Sequence, residues 1–395
     1  MYGFSRLKTI VAKPVTNIIH KPTPITYIGP GKLNAIMDIL KMNNSKKAFF
    51  IVSNTIMKKG IVDKLIGDIK NQGIEVKVFT GVKPDPTFKT VIEAQKLCED
   101  ADIMVAIGGG SILDTAKAVS AAVTNHIDPH KLTGLLKVKG QPLPLVAVPT
   151  TAGTGSETTV AAVISDTESH IKKQILDPKI VPLYAILDPE LMKGLPSFIT
   201  ATTTMDALTH ALEAYVSKYA TEETDRYAEI AVKLIFENFD SVMKSSEDLK
   251  AREMMLIASF YAGMAFTRTY VGYVHAFSHA IGGKFGVSHG LGNAVILPHV
   301  MNYYKDVCEK KFSKLSDIVN LRRKDEDTKE KADRFIESIF EMNKKVGIPD
   351  KLETFPKGNI DEIIVMAFRE CHGTYPVPKY FSKNQARKLL EKVAN

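Results

Sequence analysis

The chain has 395 residues, of which 45% are hydrophobic and 24% charged, and its formal net charge is +8. That length exceeds one ordinary core and predicts two domains of globular composition. The positive excess is scattered, as in Lys58-Lys59 and Lys310-Lys311, and forms no dense basic block of the nucleic-acid type. Three cysteines, Cys98, Cys308 and Cys371, lie far apart with no C-x-x-C pair. They argue against a disulfide framework and a cysteine zinc site, and fit a reducing cytoplasm. The opening residues lack the apolar stretch of a signal peptide, and no apolar run approaches the ~20 residues needed to span a bilayer. The expectation is a cytoplasmic protein with neither a nucleic-acid nor a membrane partner.

In chain order, Ile25–Ile28 reads as a strand ending at Gly29-Pro30-Gly31, followed by a helix from Lys32 to about Met42. A strand at 47–53 precedes a helix reaching about Gln72. Val76–Phe79 is a strand that closes at the loop 81–86, and a helix runs from about Phe88 to Asp100. Ile103–Ile107 is a wholly apolar strand, Ser111 opens the next helix, and Pro144–Val148 is a further strand. Strands alternating with helices predict a doubly wound parallel sheet, Rossmann-like in kind. From Thr158 to about Asp188 the pattern is strands (Val160–Ile164, Tyr184–Leu187) and loops. Beyond Gly194-Leu195-Pro196 it is almost wholly helical: about 199–218, 224–244, 248–266, 271–284, 291–305, 310–320, 327–346, 360–369 and 383–393. The domains are therefore 1–194, α/β, and 195–395, helical; the motifs below assign dinucleotide binding to the first and metal binding to the second.

Two segments suit a nucleotide. Strand 103–107 runs into Gly108-Gly109-Gly110-Ser111, with Asp114 three residues on. Glycines let successive N–H groups turn inward, and a helix N-terminus offers free N–H groups to an anion. Ser111 reads as the N-cap, with Asp114 completing a capping box. The second segment is Pro149-Thr150-Thr151-Ala-Gly153-Thr154-Gly155-Ser156-Glu157. Its hydroxyls and glycines follow an apolar strand, in the crevice where α/β sheets bind ligands.

A metal constellation lies further on. Asp206 and His210 share one helix face at i, i+4, as do His275 and His279, and His289 precedes Gly290. A lone i, i+4 histidine pair is more often structural. With a second pair and His289 added, Asp/His/His/His around one ion becomes the better reading, open enough for catalysis. Such a donor set does not choose between Fe²⁺ and Zn²⁺. His20, His126, His130, His170, His299 and His372 are left as structural. Glu213, three past His210, reads as an ordinary solvated or ion-paired helical residue.

With these motifs the chain resembles an iron-containing (group III) alcohol dehydrogenase over nearly its whole length. The resemblance is carried by Gly81-Val-Lys-Pro-Asp-Pro-Thr87, Gly108-Gly-Gly-Ser-Ile-Leu-Asp-Thr-Ala-Lys117 and the 149–157 segment. It continues in Met205-Asp-Ala-Leu-Thr-His-Ala-Leu-Glu213, Gly272-Tyr-Val-His-Ala-Phe-Ser-His279, Ser288-His-Gly290 and Tyr375-Pro-Val-Pro378. It implies a dehydroquinate synthase-like two-domain architecture with the active site in the cleft between domains. The family's metal ligands fall on Asp206, His210, His275 and His289. Its cofactor contacts fall on Gly109, Gly110, Ser111, Asp114, Thr150, Thr151, Thr154 and Lys172. His279 matches a histidine near the metal and is assigned to proton transfer or substrate contact, and Phe266 matches an apolar residue of the substrate pocket. The implied cofactors are Fe²⁺, with Zn²⁺ as the alternative, and NAD or NADP. The implied assembly is a homodimer.

Two departures stand out. Asn54 occupies the place of an Asp that meets the adenosine ribose in many members, which opens NADP as well as NAD. Arg268 stands where Asn is common, and either narrows the pocket or pairs with an acidic group. The implied function is reversible hydride transfer between a nicotinamide and a short-chain alcohol or aldehyde, with the metal as Lewis acid. The rival readings are a glycerol or polyol dehydrogenase, a dehydroquinate synthase-like lyase, and a non-catalytic metal-storage role.

Overall fold

The computed structural model describes residues 22–167 and 171–395. The opening residues read for a leader, together with His20 and His170, lie outside that range. The strands are β1 (Ile25–Ile28), β2 (Lys47–Val52), β3 (Glu75–Phe79), β4 (Ile103–Gly108), β5 (Gly134–Leu135), β6 (Leu145–Pro149), β7 (Ala161–Asp166), β8 (Ile171–Leu176) and β9 (Tyr184–Leu187). The helices before residue 190 are α1 (Ala35–Met42), α2 (Asn54–Lys58), α3 (Asp63–Asn71), α4 (Phe88–Leu97) and α5 (Gly110–Asn125).

Six strands form one sheet in the order β1-β9-β6-β4-β2-β3, and every pairing in it is parallel. The central strands are unbroken apolar runs because both faces are covered. Phe49, Ile51, Met104, Ala106, Leu145 and Ala147 enter one core with α5. Their neighbours Phe50, Val52, Val105, Ile107, Val146 and Val148 enter the other, with α1 and α3. The residues just past β2, β4 and β6 are neighbours in space: Val52 pairs with Ile107, and Gly108 with Pro149. The sequence reading found these strands. It missed β8, a lysine-bearing strand that pairs antiparallel with β7 and parallel with β5 in a separate three-stranded sheet.

The rest is helical: α6 (Ser197–Val216), α7 (Glu222–Lys244), α8 (Leu249–Thr269), α9 (Tyr273–Phe285), α10 (His289–Ile318), α11 (Thr328–Lys345), α12 (Ile360–Cys371) and α13 (Lys383–Val393). The two helices read at 291–305 and 310–320 are the single helix α10, which runs through Pro298. Its burial continues past the expected break, through Cys308, Phe312 and Leu315.

Two compact units result. One contains residues 196–245 and 264–395; the other contains the parallel sheet, up to residue 195, together with residues 246–263. Residues 246–263 lie in the half read as helical, yet they pack with the sheet. The reason is a close backbone approach. A Cβ on Gly155 would lie 2.8 Å from Gly263 Cα and 2.8 Å from Ser259 O, and Gly155 N donates to Ser259 Oγ at 3.2 Å.

Candidate metal centre and nucleotide site

Helix α6 is buried along almost its whole length from Thr200 to Val216, so its polar side chains must find partners inside. Asp206 and His210 do so on one face. His275 lies in the first turn of α9, and His289 is the first residue of α10. The start of α10 can close on α6 because residue 290 is glycine: a Cβ there would lie 2.7 Å from Thr202 O. One ligand atom from each of Asp206, His210, His275 and His289 falls within 4.8 Å of the others.

The electrostatics favour a shared cation. Glu213 Oε2 accepts from His275 Nδ1 at 2.6 Å, which places that ring's proton on Nδ1 and turns its Nε2 lone pair toward the cluster. His275 Nε2 lies 3.0 Å from His210 Nε2. His289 Nε2 lies 3.3 Å from Asp206 Oδ1, and Asn293 Nδ2 donates to that same oxygen at 2.7 Å. Burial and the neighbouring histidines His210, His289 and His279 hold His275 well below its ordinary range, and hence neutral. Burial opposes charge on Asp206, but His210 and His289 outweigh it and hold the carboxyl well below its ordinary range. A buried carboxylate and three imidazole nitrogens turned to one point fit a divalent ion.

Glu213 corrects its sequence reading. It is neither solvated nor ion-paired in the ordinary way but 3% exposed, and it also accepts from Gly272 N at 2.8 Å and Val274 N at 2.7 Å. It therefore caps α9 while orienting His275. Burial pushes its carboxyl up to about 8, against the pull of these three donors. Asn293 was also missed. Its only sequence signal is the i, i+4 step from His289, whereas Glu213 had an i, i+3 step from His210 and a place in a quoted motif.

His279 stands beside the cluster. Its ring stacks on His289 at 5.2 Å and meets His275 edge-on at 5.6 Å, and its Nδ1 lies 2.8 Å from Glu370 Oε1. Phe266 stacks on His210 at 4.1 Å. Arg268 donates to Met264 O at 2.8 Å and lies over the Tyr227 ring at 5.7 Å. Residues 264–268 thus form one helical turn beside the cluster.

In the other unit the structure gathers most of the nucleotide candidates. The N-cap of α5 is Gly109 and not Ser111, which lies in the first turn, and no side chain caps it. The expected capping box does not form because Asp114 is engaged elsewhere. It accepts from Ser156 Oγ at 2.6 Å and from Val163 N at 3.0 Å, which ties the 149–157 segment to α5. Thr151 and Thr154 face the glycines: a Cβ on Gly110 would lie 2.7 Å from Thr154 Cγ2, and one on Gly109 3.3 Å from Thr151 Oγ1. Thr150 N donates to Gly108 O at 3.0 Å. Asn54 opens α2 just past β2, exposed, with Ser53 as its N-cap. Lys172 stands apart on β8, paired with Asp85 at 2.6 Å. Beneath the loop, buried Lys117 donates to Thr159 O at 2.9 Å, Thr159 Oγ1 at 2.8 Å and Ala161 O at 2.9 Å. All three cysteines are buried and free.

Comparison with known proteins agrees with this geometry. Residues 22–189 match the family model for iron-containing alcohol dehydrogenase, and residues 200–394 match the C-terminal model of the Fe-containing alcohol dehydrogenase family. The chain is 38% identical over 328 residues to NAD-dependent methanol dehydrogenase of Bacillus methanolicus, covering 82% of this chain and 86% of that one. It is 37% identical over 332 residues to 1,3-propanediol dehydrogenase of Klebsiella pneumoniae, covering 83% and 86%. The solved structure of a 1,3-propanediol oxidoreductase superposes with a TM-score of 0.90 at 33% identity, covering 95% of this chain and 99% of that one. With its parallel sheet, its helical unit and its buried Asp/His₃ cluster, the chain belongs to the iron-containing alcohol dehydrogenase family.

Proposed function

We propose that the protein is a metal-dependent alcohol dehydrogenase and aldehyde reductase. It moves hydride reversibly between a nicotinamide dinucleotide and a short-chain alcohol or aldehyde. The observation that carries this reading is the buried Asp206/His210/His275/His289 cluster with Glu213 behind it. A divalent ion held by these four residues supplies Lewis acidity toward an alcohol or carbonyl oxygen, and nicotinamide carries the hydride.

The chain's own residues do the rest. Glu213 keeps the His275 lone pair turned inward, and Asn293 holds Asp206. Phe266, stacked on His210, keeps one side of the cluster apolar and suits small, weakly polar substrates. His279 serves proton transfer or substrate contact. The Gly109–Ser111 turn presents the first N–H groups of α5 to the dinucleotide phosphates. Thr150, Thr151 and Thr154 offer hydroxyls beside it, and Asp114 acts through Ser156 and Val163 to hold that loop. Lys172 contributes a cation from β8.

Fe²⁺ is the resident metal in this reading, and the same ligands accept Zn²⁺. The protein works in the cytoplasm as a homodimer, which three reduced, buried cysteines suit. Its partners are small molecules. No helix among the described residues is long and apolar enough to cross a membrane.

The test is anaerobic loading with Fe²⁺ or Zn²⁺, followed by NADH and NADPH oxidation with a short aliphatic aldehyde. Turnover with Fe²⁺ is expected, and its absence at full metal stoichiometry would end the reading. Asn54 binds a ribose hydroxyl without repelling a 2′-phosphate, so NADPH is accepted alongside NADH. Asn54→Asp is expected to lower kcat/KM for NADPH by about tenfold through repulsion, with little change for NADH. Equal effects on both cofactors would remove Asn54 from the site.

A further inference from the structure

We propose that Glu370, clamped by Tyr375, is a positioning residue that fixes which nitrogen of His279 carries the proton. The inference rests on the dehydrogenase reading for its catalytic consequence, though not for its structural content.

Glu370 lies in the last turn of α12, 91 residues beyond His279. Its Oε1 takes two hydrogen bonds, from His279 Nδ1 at 2.8 Å and from the Tyr375 hydroxyl at 2.6 Å. A carboxylate only accepts, so the imidazole proton on this side must sit on Nδ1. Tyr375 is itself anchored. It is 4% exposed, and its backbone N donates to Cys371 O at 2.9 Å after the chain reverses at Gly373, φ +83°. The tyrosine thereby fixes the one carboxylate oxygen that orients His279.

The ring so fixed stacks on His289 and meets His275 edge-on. Its Nε2 then carries the lone pair, on a ring held against two members of the Asp/His₃ cluster. An unconstrained neutral histidine in water prefers the opposite tautomer, with the proton on Nε2. Glu370 thus reverses that preference for His279 much as Glu213 sets the tautomer of His275. Two carboxylates on two helices orient two histidines four residues apart on α9.

The experiment uses ¹⁵N-histidine-labelled, Zn²⁺-loaded full-length protein at a pH where the His279 ring is neutral. The His279 signal is identified by its disappearance in His279→Ala. The wild type is expected to show the Nδ1–H tautomer. Glu370→Leu should shift the signal toward Nε2–H, and Glu370→Gln, whose amide oxygen still accepts, should keep Nδ1–H. In the aldehyde assay, kcat should fall roughly 10- to 100-fold in Glu370→Leu and recover in Glu370→Gln, short of the 10²–10⁴ cost of losing an acid–base group outright. Nicotinamide KM and bound Zn²⁺ should stay as in wild type. An Nδ1–H signal that persists in Glu370→Leu overturns the proposal, as does a fall in kcat that tracks loss of zinc. Should Glu370→Leu not fold, Tyr375→Phe carries the same test: a mixed tautomer is expected, and an unchanged one overturns the role of the clamp. A wild type without turnover would sink the dehydrogenase reading while leaving the tautomer result to decide Glu370.

Discussion

Glu213 gathers three N–H groups, two from the backbone at the start of α9 and one from His275. In Glu213→Gln one of the two oxygens that accept those N–H groups becomes an NH₂, which faces one of them as a donor. Metal affinity is expected to fall about 10- to 100-fold with the fold retained, read by chelator competition. Unchanged affinity would reduce Glu213 to a helix cap. A second buried pair sets a pH dependence in the other unit. Burial raises the Glu157 carboxyl from 4.5 to about 7 and lowers the Lys117 ammonium from 10.5 to about 8. Glu157 binds its proton more tightly when folded, so its contribution to stability is complete below 4.5 and is lost as pH rises through about 7. Lys117 acts oppositely: the unfolded chain holds more protons between about 8 and 10.5, so stability recovers with pH across that window. Glu157→Gln should therefore gain on the wild type as pH rises from 4.5 to about 7, by about 3 kcal/mol at most, and then run parallel to it. Denaturant titrations at several pH values would show this. Curves parallel throughout would mean that Glu157 does not titrate in that range.

At the scale of elements, α8 meets the 149–158 loop where two glycines touch. A Cβ on Gly263 would lie 2.2 Å from Thr158 Oγ1, and Thr158 Oγ1 already donates to Gly155 O at 2.8 Å. Gly263→Ala is expected to cost about 1–3 kcal/mol by overpacking, seen as a lower denaturation midpoint with the slope unchanged. A neutral result would show that the helix can slide. The strands were legible because a sheet covered on both faces demands continuous apolar runs, as in Phe49–Val52 and Ile103–Ile107. Strand β8 was not, because Lys172 and Lys173 interrupt its apolar pattern. The start of α5 was legible as a turn but not in its capping, since Asp114 answers to Ser156 and Val163, which are distant in sequence. Helix α10 was read as two with a break at 306–309, yet Cys308 inside that break and Phe312 beyond it are buried, so the packed face runs on through it.

Across the whole molecule, the four clustered side chains come from three helices, and an ion bound there links them. Anything that binds only the folded state raises stability by mass action, about 2.7 kcal/mol at a 100-fold excess over Kd. Chelator-treated protein is expected to unfold at lower temperature and to recover on adding Fe²⁺ or Zn²⁺. His275→Ala should show no such metal-dependent shift, and an equal shift in that variant would place the ion elsewhere. Asp206 and His210 were legible as one i, i+4 pair and His275 as half of another with His279, while His289 stood alone before Gly290 and the resemblance singled out the four. Their supports were not, because Glu213 and His275 are 62 residues apart, and His279 and Glu370 are 91 apart. Only the packing of α9 against its neighbours joins them.

The order of the cluster along the chain also has a temporal meaning. As the polypeptide leaves the ribosome, Asp206 and His210 emerge first, His275 much later, and His289 and Asn293 last. Two donors on one helix make a poor trap, so a nascent chain that has not yet reached His289 holds no complete coordination sphere. An ion that needs all four donors would therefore find its site only once the start of α10 has been made.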